Sequence, residues 1–346
     1  MTLRGKGFFT WKLTQAEKGN PAQIAATAKS AGLSHVMIKI ANGKYPYNGD
    51  FGDPQDYVTP TVEALRAEGI QVWGWHYVYG DDPYGEADIA IRRAQQYNLD
   101  LYAIDAESEY KAPGKSAAAY RFMSRLRSGL PDLPVALCSY RFPSLHPELP
   151  WNEFLDKCTY SMPQVYWKAK HDPASQLEHC YQEYQTRVLP RPMIPVGAAF
   201  IESGWQPTVD DVKAFMQKAQ ELNLSVVSFW EWADARSGSM PGIWEAIRDA
   251  HWPGDPVPPN MGELLIEALN EHDVAKVSDL YVPNAVHITA GTTVHGGSGI
   301  QDWYTDFLDN ILPEAKFQLV GFAGSMGNIY HMTWSATSPA GRVDNG

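Results

Sequence analysis

The sequence predicts an α/β protein: a (β/α)8 TIM barrel followed by a smaller α+β domain. Three observations carry that prediction. Within the first 252 residues, eight short runs rich in β-branched and aromatic residues alternate with amphipathic stretches. No glycine-rich phosphate fingerprint follows the first run, which argues against an open doubly wound sheet. The segment Pro253-Gly254-Asp255-Pro256-Val257-Pro258-Pro259-Asn260 then ends the alternation, and a different pattern begins beyond it. The expected division is a barrel over 1–252, a stiff proline-rich linker over 253–260 and a second domain over 261–346.

Strands are expected at 7–11, 35–40, 71–77, 101–105, 134–139, 160–167, 193–198 and 225–230, where residues with strand preference concentrate. Helical periodicity fills the gaps at 58–68, 86–97, 116–128, 175–188, 209–222 and 243–250. Eight such units in about 250 residues is the arithmetic of a (β/α)8 barrel. Beyond the linker, helices are expected at 261–270 and 274–281, a strand at 285–289 and a helix at 299–311 after a glycine-rich turn. Two strand-like runs follow, at 316–322 and 328–337.

Composition excludes several classes. The 346 residues are 44% hydrophobic and 20% charged, enough apolar material for a sizeable core. Net charge is −12, and residues 261–346 hold ten acidic side chains against three basic ones. No basic stripe marks a nucleic-acid partner. No run approaches the roughly 18 apolar residues of a membrane span. Met1-Thr2-Leu3-Arg4-Gly5-Lys6 lacks the apolar region of a secretory signal, which leaves the location open between cytoplasm and export by another route. Three irregularly spaced cysteines make no disulfide framework, and no histidines have ligand spacing, so neither metal nor cofactor is expected. Aromatic content is high at 12%, and ten of the twelve tryptophans precede residue 253.

In a (β/α)8 barrel, chemistry sits at the C-terminal ends of the strands. The fourth ends in Tyr102-Ala103-Ile104-Asp105-Ala106-Glu107, which puts Asp105 and Glu107 on one side of an extended chain, roughly 6–7 Å apart along it. Paired carboxylates suit glycoside hydrolysis, and their mutual repulsion keeps one of them protonated. The competing reading has Asp105 capping the next helix and Glu107 paired with Lys111 or Arg141. Aromatics cluster at other strand ends: Phe9 and Trp11; Trp73, Trp75 and Tyr77; Tyr166 and Trp167; Trp230 and Trp232. Aromatic faces with a few polar groups fit sugar rings, although alternation turns about half of them away from any mouth. One of Trp230 and Trp232 is expected to line it, not both.

Two family resemblances arise from these segments. Val36-Met37-Ile38-Lys39-Ile40-Ala41-Asn42-Gly43 resembles the second strand of family-25 glycoside hydrolases, the lysozyme-like muramidases. Trp73-Gly74-Trp75-His76-Tyr77 is similar to their third strand, and Asp105-Ala106-Glu107 to their Asp-x-Glu. Ser228-Phe229-Trp230-Glu231-Trp232 with Met240-Pro241-Gly242-Ile243 looks like their last strand and exit. Asp105-x-Glu107, Ser161-Met162-Pro163-Gln164-Val165-Tyr166-Trp167 and Trp230 also resemble family-18 chitinases. Supporting acids of those families are absent: the first strand has no aspartate, Asn42 and Ala103 replace acids, and Gln164 precedes Tyr166. In the C-terminal part, Val294-His295-Gly296-Gly297-Ser298-Gly299 and the run at 330–337 resemble the SnoaL-like, nuclear transport factor 2-like cone. That resemblance implies a further strand after Gly346, hence a truncated cone or one completed by a partner, and a homodimer through this domain.

What the barrel resemblances imply is retaining cleavage of a β-linked N-acetylhexosamine glycan, peptidoglycan-like or chitin-like. Glu107 would be the acid and then the base, with the substrate's own acetamide as nucleophile. Asp105 would hold that acetamide, Tyr166 would orient its oxygen and Trp230 would floor the subsite. Trp11, Lys39 and Tyr77 belong to the same expected binding set, with Gln164, Glu231 and His76 as partners for sugar hydroxyls. The missing acids support an alternative, a catalytically reduced barrel that binds carbohydrate or another ligand. A third reading places small-molecule binding or catalysis in the C-terminal domain, around His287, His295, Tyr330 and His331.

Overall fold

A computed structural model describes residues 3–49, 56–168, 170–252, 261–282, 284–289, 291–325, 329–339 and 341–346. Eight parallel strands close into a barrel: β1 (Gly5–Thr10), β2 (His35–Asn42), β3 (Gln71–Val78), β4 (Leu101–Ala106), β5 (Val135–Tyr140), β6 (Tyr160–Val165), β7 (Val196–Ala198) and β8 (Val226–Trp230). Each pairs with the next, and β8 returns to β1. Regular pairing of β7 begins only at Val196, because Pro195 has no N–H to give a ladder; Met193 makes a lone bridge to Ser161. Strands covered on both faces need apolar side chains on both, so β1 is buried throughout.

Around the barrel run α1 (Pro21–Ser30), α2 (Val58–Ala67), α3 (Pro83–Gln96), α4 (Lys115–Gly129), α5 (Trp151–Leu155), α6 (Pro173–Thr186), α7 (Val209–Glu221), α8 (Trp232–Arg236) and α9 (Ile243–Asp249). The amphipathic pattern locates six of these, whereas α1, α5 and α8 are short or alanine-rich and give little periodic signal. Local chemistry starts several of them. Asn20 and Asp82 each accept a backbone N–H ahead of a first-turn proline, and Thr208 with Asp211 forms a reciprocal capping box.

The lower interior is solid. His35 stacks on Trp73 with ring centroids 3.6 Å apart and meets Ser228 Oγ at 2.7 Å. Gly7 makes this possible, since a Cβ there would fall 2.3 Å from the imidazole. Above lie Phe9, Met37, Trp75, Ala103, Ala136, Met162 and Val196, large side chains beside small ones. Among the described residues, the barrel interior thus opens toward the C-terminal rim.

The chain divides into two compact units, Met1–Asp255 and Pro256–Gly346; the proline-rich linker at 253–260 lies outside the described residues. The second unit contains α10 (Met261–Glu271), α11 (Val274–Asp279), a hairpin of β9 (Val286–Ile288) and β10 (Thr293–His295), α12 (Gly296–Asp306) and a π-helical turn (Phe307–Ile311). An antiparallel sheet of β11 (Lys316–Ser325), β12 (Ile329–Ser338) and β13 (Gly341–Val343) completes it. Two features differ from the expected pattern. The segment read as a glycine-rich turn supplies a strand and the first turn of α12, and Gly341–Val343 pairs as a third strand of the sheet.

Lys6 closes the barrel's last unit. Buried on β1, its ammonium donates to the carbonyls of Ile247, Arg248 and Ala250 at 2.8, 2.6 and 2.6 Å, around the C-terminus of α9. Replacing Lys6 by Met keeps the aliphatic stem and leaves those acceptors unpaired. Urea unfolding should show a loss of about 2–4 kcal/mol.

Candidate active site

Ala103, Asp105 and Glu107 share one face of β4 and its extension. Ala103 is inside the core, Asp105 sits at the level of Tyr77 and Cys138, and Glu107 is just past the strand end. Asp105 is only 8% exposed, whereas Glu107 is half-buried on the wall of a cavity of about 680 Å³. Gln164, near the end of β6, joins them: its Nε2 donates to Asp105 Oδ1 at 3.1 Å and to Glu107 Oε1 at 2.8 Å. Burial pushes the Asp105 carboxyl well above the usual range, and the negative charge of Glu107 pushes it further; Lys39 opposes both. Both effects favour the protonated form of Asp105.

Lys39 reaches this floor from β2. A register shift just after it, between Lys39 and Ala41, marks a bulge of the kind found beside functional sites. Its ammonium lies 4.6 Å from the Tyr47 ring, 4.7 Å from Trp75, 5.9 Å from Trp11 and 6.0 Å from Tyr77. Ring faces replace part of the lost hydration. Burial still lowers its pKa to about 8, against the pull of Asp105.

The aromatic residues divide as strand alternation requires. Trp11, Trp230, Tyr166 and Phe200 line the cavity, with Trp75 edge-on behind Trp230 at 5.2 Å. Trp11 is 42% exposed, and its ring centroid is 6.2 Å from that of Trp230. Trp232 is fully buried against Phe8 and Trp244, and Trp167 against Phe215, both outside the sheet. Tyr77 points inward, but its hydroxyl is committed to Glu109 Oε2 at 2.7 Å. Glu231 follows Trp230 through a cis peptide and lies buried on the cavity wall.

His76 is a correction. Its neighbours Trp75 and Tyr77 face inward, so its ring faces outward, fully buried near Phe122 of α4. Nε2 lies 2.6 Å from the Gly43 carbonyl, which can only accept, so Nε2 carries the proton. Nδ1 then accepts from Tyr102 Oη at 2.8 Å. Burial drops its pKa to about 3, which leaves it neutral and unable to reach a ligand. The proposed ion pairs of Glu107 are absent too: among the described residues Lys111 and Arg141 contact the rings of Tyr140 and Phe142 instead. The C-terminal histidines do not converge, since His295, Tyr330 and His331 are exposed. His287 alone packs inside, against Tyr281 and Tyr304.

Some site residues escaped the sequence reading. Glu109 continues the two-residue spacing of Asp105 and Glu107, and that signal was present. Tyr140 ends β5 just as Tyr166 follows β6. Lys168 and Glu202 form an ion pair at the rim that joins two loops, and no local pattern announces it. Among the described residues, no group of three His, Cys, Asp or Glu is placed to hold a metal ion.

Glu231 gives a pH-dependent prediction. Burial first and Asp234 second raise its pKa from 4.5 to about 7, while backbone N–H groups of Trp11, Asp234 and Ala233 pull it down. The folded state thus binds the proton more tightly than the unfolded chain, and stability falls as pH rises from about 4.5 through 7. Urea titrations at pH 5 and pH 8 should show a loss of up to about 3 kcal/mol from this group, much reduced in Glu231→Gln.

No protein-family model and no curated protein matches the sequence. Solved structures do match the barrel. A chitinase from Chromobacterium violaceum superposes with a TM-score of 0.52 at 12% identity, over 71% of this chain and 98% of that one. Human YKL-39, a pseudo-chitinase with retained chitooligosaccharide binding, gives 0.53 at 8% identity over 71% and 99%. A family GH2 β-galacturonidase from Eisenbergiella tayi gives 0.51 at 16% identity over 72% of this chain, which spans about half the length of that enzyme. At these identities the likeness is one of fold, and the fold is the parallel eight-stranded barrel that these glycoside hydrolase-type structures share.

Proposed function

We propose that the barrel hydrolyses a β-linked glycan containing N-acetylhexosamine, with retention of configuration. The observation that carries this reading is the pair Asp105 and Glu107, joined by the Gln164 amide at the C-terminal ends of the strands, with Glu107 on the wall of an aromatic-lined cavity.

In the free site, burial favours the protonated form of Asp105. A bound acetamide N–H favours the ionised form of Asp105, supported by Lys39, and the proton moves to Glu107. Glu107 then protonates the glycosidic oxygen as the acetamide oxygen attacks the anomeric carbon and the C–O bond breaks. Water opens the resulting cyclic intermediate, giving its proton to the Glu107 carboxylate. Trp11 and Trp230 supply the faces for the sugar rings and Tyr166 a hydroxyl for the acetamide oxygen. Gln164 and Glu231 act as polar wall groups.

The test is fragment release from chitooligosaccharides and from peptidoglycan. Glu107→Gln is expected to lower kcat by about 10³-fold or more. Unchanged turnover in that variant would reject the acid/base assignment. Oligosaccharide binding without turnover in the wild type would favour a binding barrel, the reading supported by Ala103 and by the Gln164 amide that ties both carboxyls down.

Asp105→Asn makes a separate prediction. The amide cannot carry the negative charge that holds the acetamide N–H and balances the developing positive charge, so kcat should fall about 10²-fold in steady-state assays, with KM changed little.

A further inference from the structure

The wall beside Glu107 carries two cations, Lys111 and Arg141, that the hydrolytic reading leaves unused, beside His146, whose charge burial and Lys111 disfavour. Arg141 directly follows β5, and the chain then turns to bring His146 onto Tyr140, ring centroids 3.7 Å apart. Lys111 ends the short 3-10 turn that follows Glu107, with its ammonium 4.5 Å from the same Tyr140 ring. The Arg141 guanidinium lies 5.0 Å from the Phe142 ring. Tyr140, Arg141 and His146 line the cavity together with Glu107.

Among the described residues, no carboxylate forms an ion pair with this group. Neither Lys111 nor Arg141 enters an ion pair among the described residues; Asp172 acts on Arg141, and Glu148 on His146, only at longer range. The Nδ1 atom of His146 is buried and has no hydrogen-bond partner among the described residues. Partial burial disfavours the charge on Arg141, and an anion on its guanidinium would offset that cost. Across the cavity, the wall from β7 and β8 bears Glu202, neutralised by Lys168, together with Glu231 and Asp234. The cavity is thus polarised, with its cationic end next to Glu107.

We propose that Arg141, flanked by Lys111 and His146, is a subsite for a carboxylate carried by the glycan, so that the preferred substrate is an acidic polymer rather than a neutral one. The planar fork of an arginine suits a carboxylate bidentately, and the aromatic neighbours limit competing water. This inference rests on the cavity being a glycan site. Two sources share the chemistry: the ring carboxylate of a hexuronic acid, or a lactyl ether on an amino sugar.

The experiment uses the full chain carrying Glu107→Gln, so that binding is read without turnover. Calorimetry compares chitotetraose, a hyaluronan tetrasaccharide of β-linked glucuronic acid alternating with N-acetylglucosamine, and a peptide-free tetrasaccharide of alternating N-acetylglucosamine and N-acetylmuramic acid. One acidic probe is expected to bind at least about ten-fold tighter than chitotetraose, and which one it is identifies the source. Adding Arg141→Gln should erase that preference and leave chitotetraose affinity unchanged. Lys111→Gln, on a surface turn, should weaken the same probe by a smaller factor and serves if the arginine variant does not fold. Equal affinity for neutral and acidic probes, or equal weakening of all three by Arg141→Gln, overturns the subsite while leaving the glycan reading intact. Failure to bind any probe overturns both.

Discussion

A closed sheet of eight strands has a single interior, and strand alternation sends every second side chain into it. The site depends on this constraint. With Trp73 and Trp75 occupying much of the width, their neighbours Ala103 and Ala136 must be small. The core fills from the N-terminal end upward, and the next inward residue on β4 is Asp105. One further step of the same alternation carries Glu107 past the strand and into the cavity wall. Two chemically similar acids thus meet different surroundings because they stand two residues apart on one strand.

That difference is electrostatic. At the floor, water is scarce and charge is expensive, so Asp105 takes up a proton and Lys39 is held in a cage of ring faces. Gln164 touches both acids with one amide group and fixes their relative position. Tyr77 and Glu109 extend the network along the same rim. Polar groups that would be costly singly are tolerable together, because each supplies another's partner.

The loops that present these groups are held from outside the barrel. Arg93, buried on α3, donates to the carbonyls of Ile40, Tyr47 and Gly49 at 3.1, 2.9 and 2.9 Å, fixing the segment that brings Tyr47 over Lys39. Glu86, from the same helix, accepts the backbone N–H groups of Tyr79 and Gly80 after β3. Asn48 ties the ends of β1 and β2 together through the carbonyls of Trp11 and Lys39. Helix residues remote from the cavity therefore set the geometry at its floor, as expected of a rigid scaffold carrying functional loops.

The sequence by itself determined the barrel, since the alternation of eight strand-like and helical runs is a local property written in residue spacing. It also determined that Asp105 and Glu107 share a face, because a strand has a period of two. Which face points inward was a different matter. His76 has the composition of a sugar-binding residue and sits between two inward aromatics, yet its parity turns it to the Gly43 carbonyl and Tyr102. Trp230 and Trp232 are likewise separated only by the end of the strand between them. The tertiary structure alone decided which groups from distant segments converge: Gln164 on the acid pair, Lys39 among four rings, Arg141 on the cavity wall with Glu107. Such convergence is fixed by barrel closure, across as many as 59 residues of chain between Asp105 and Gln164, and no short-range pattern encodes it.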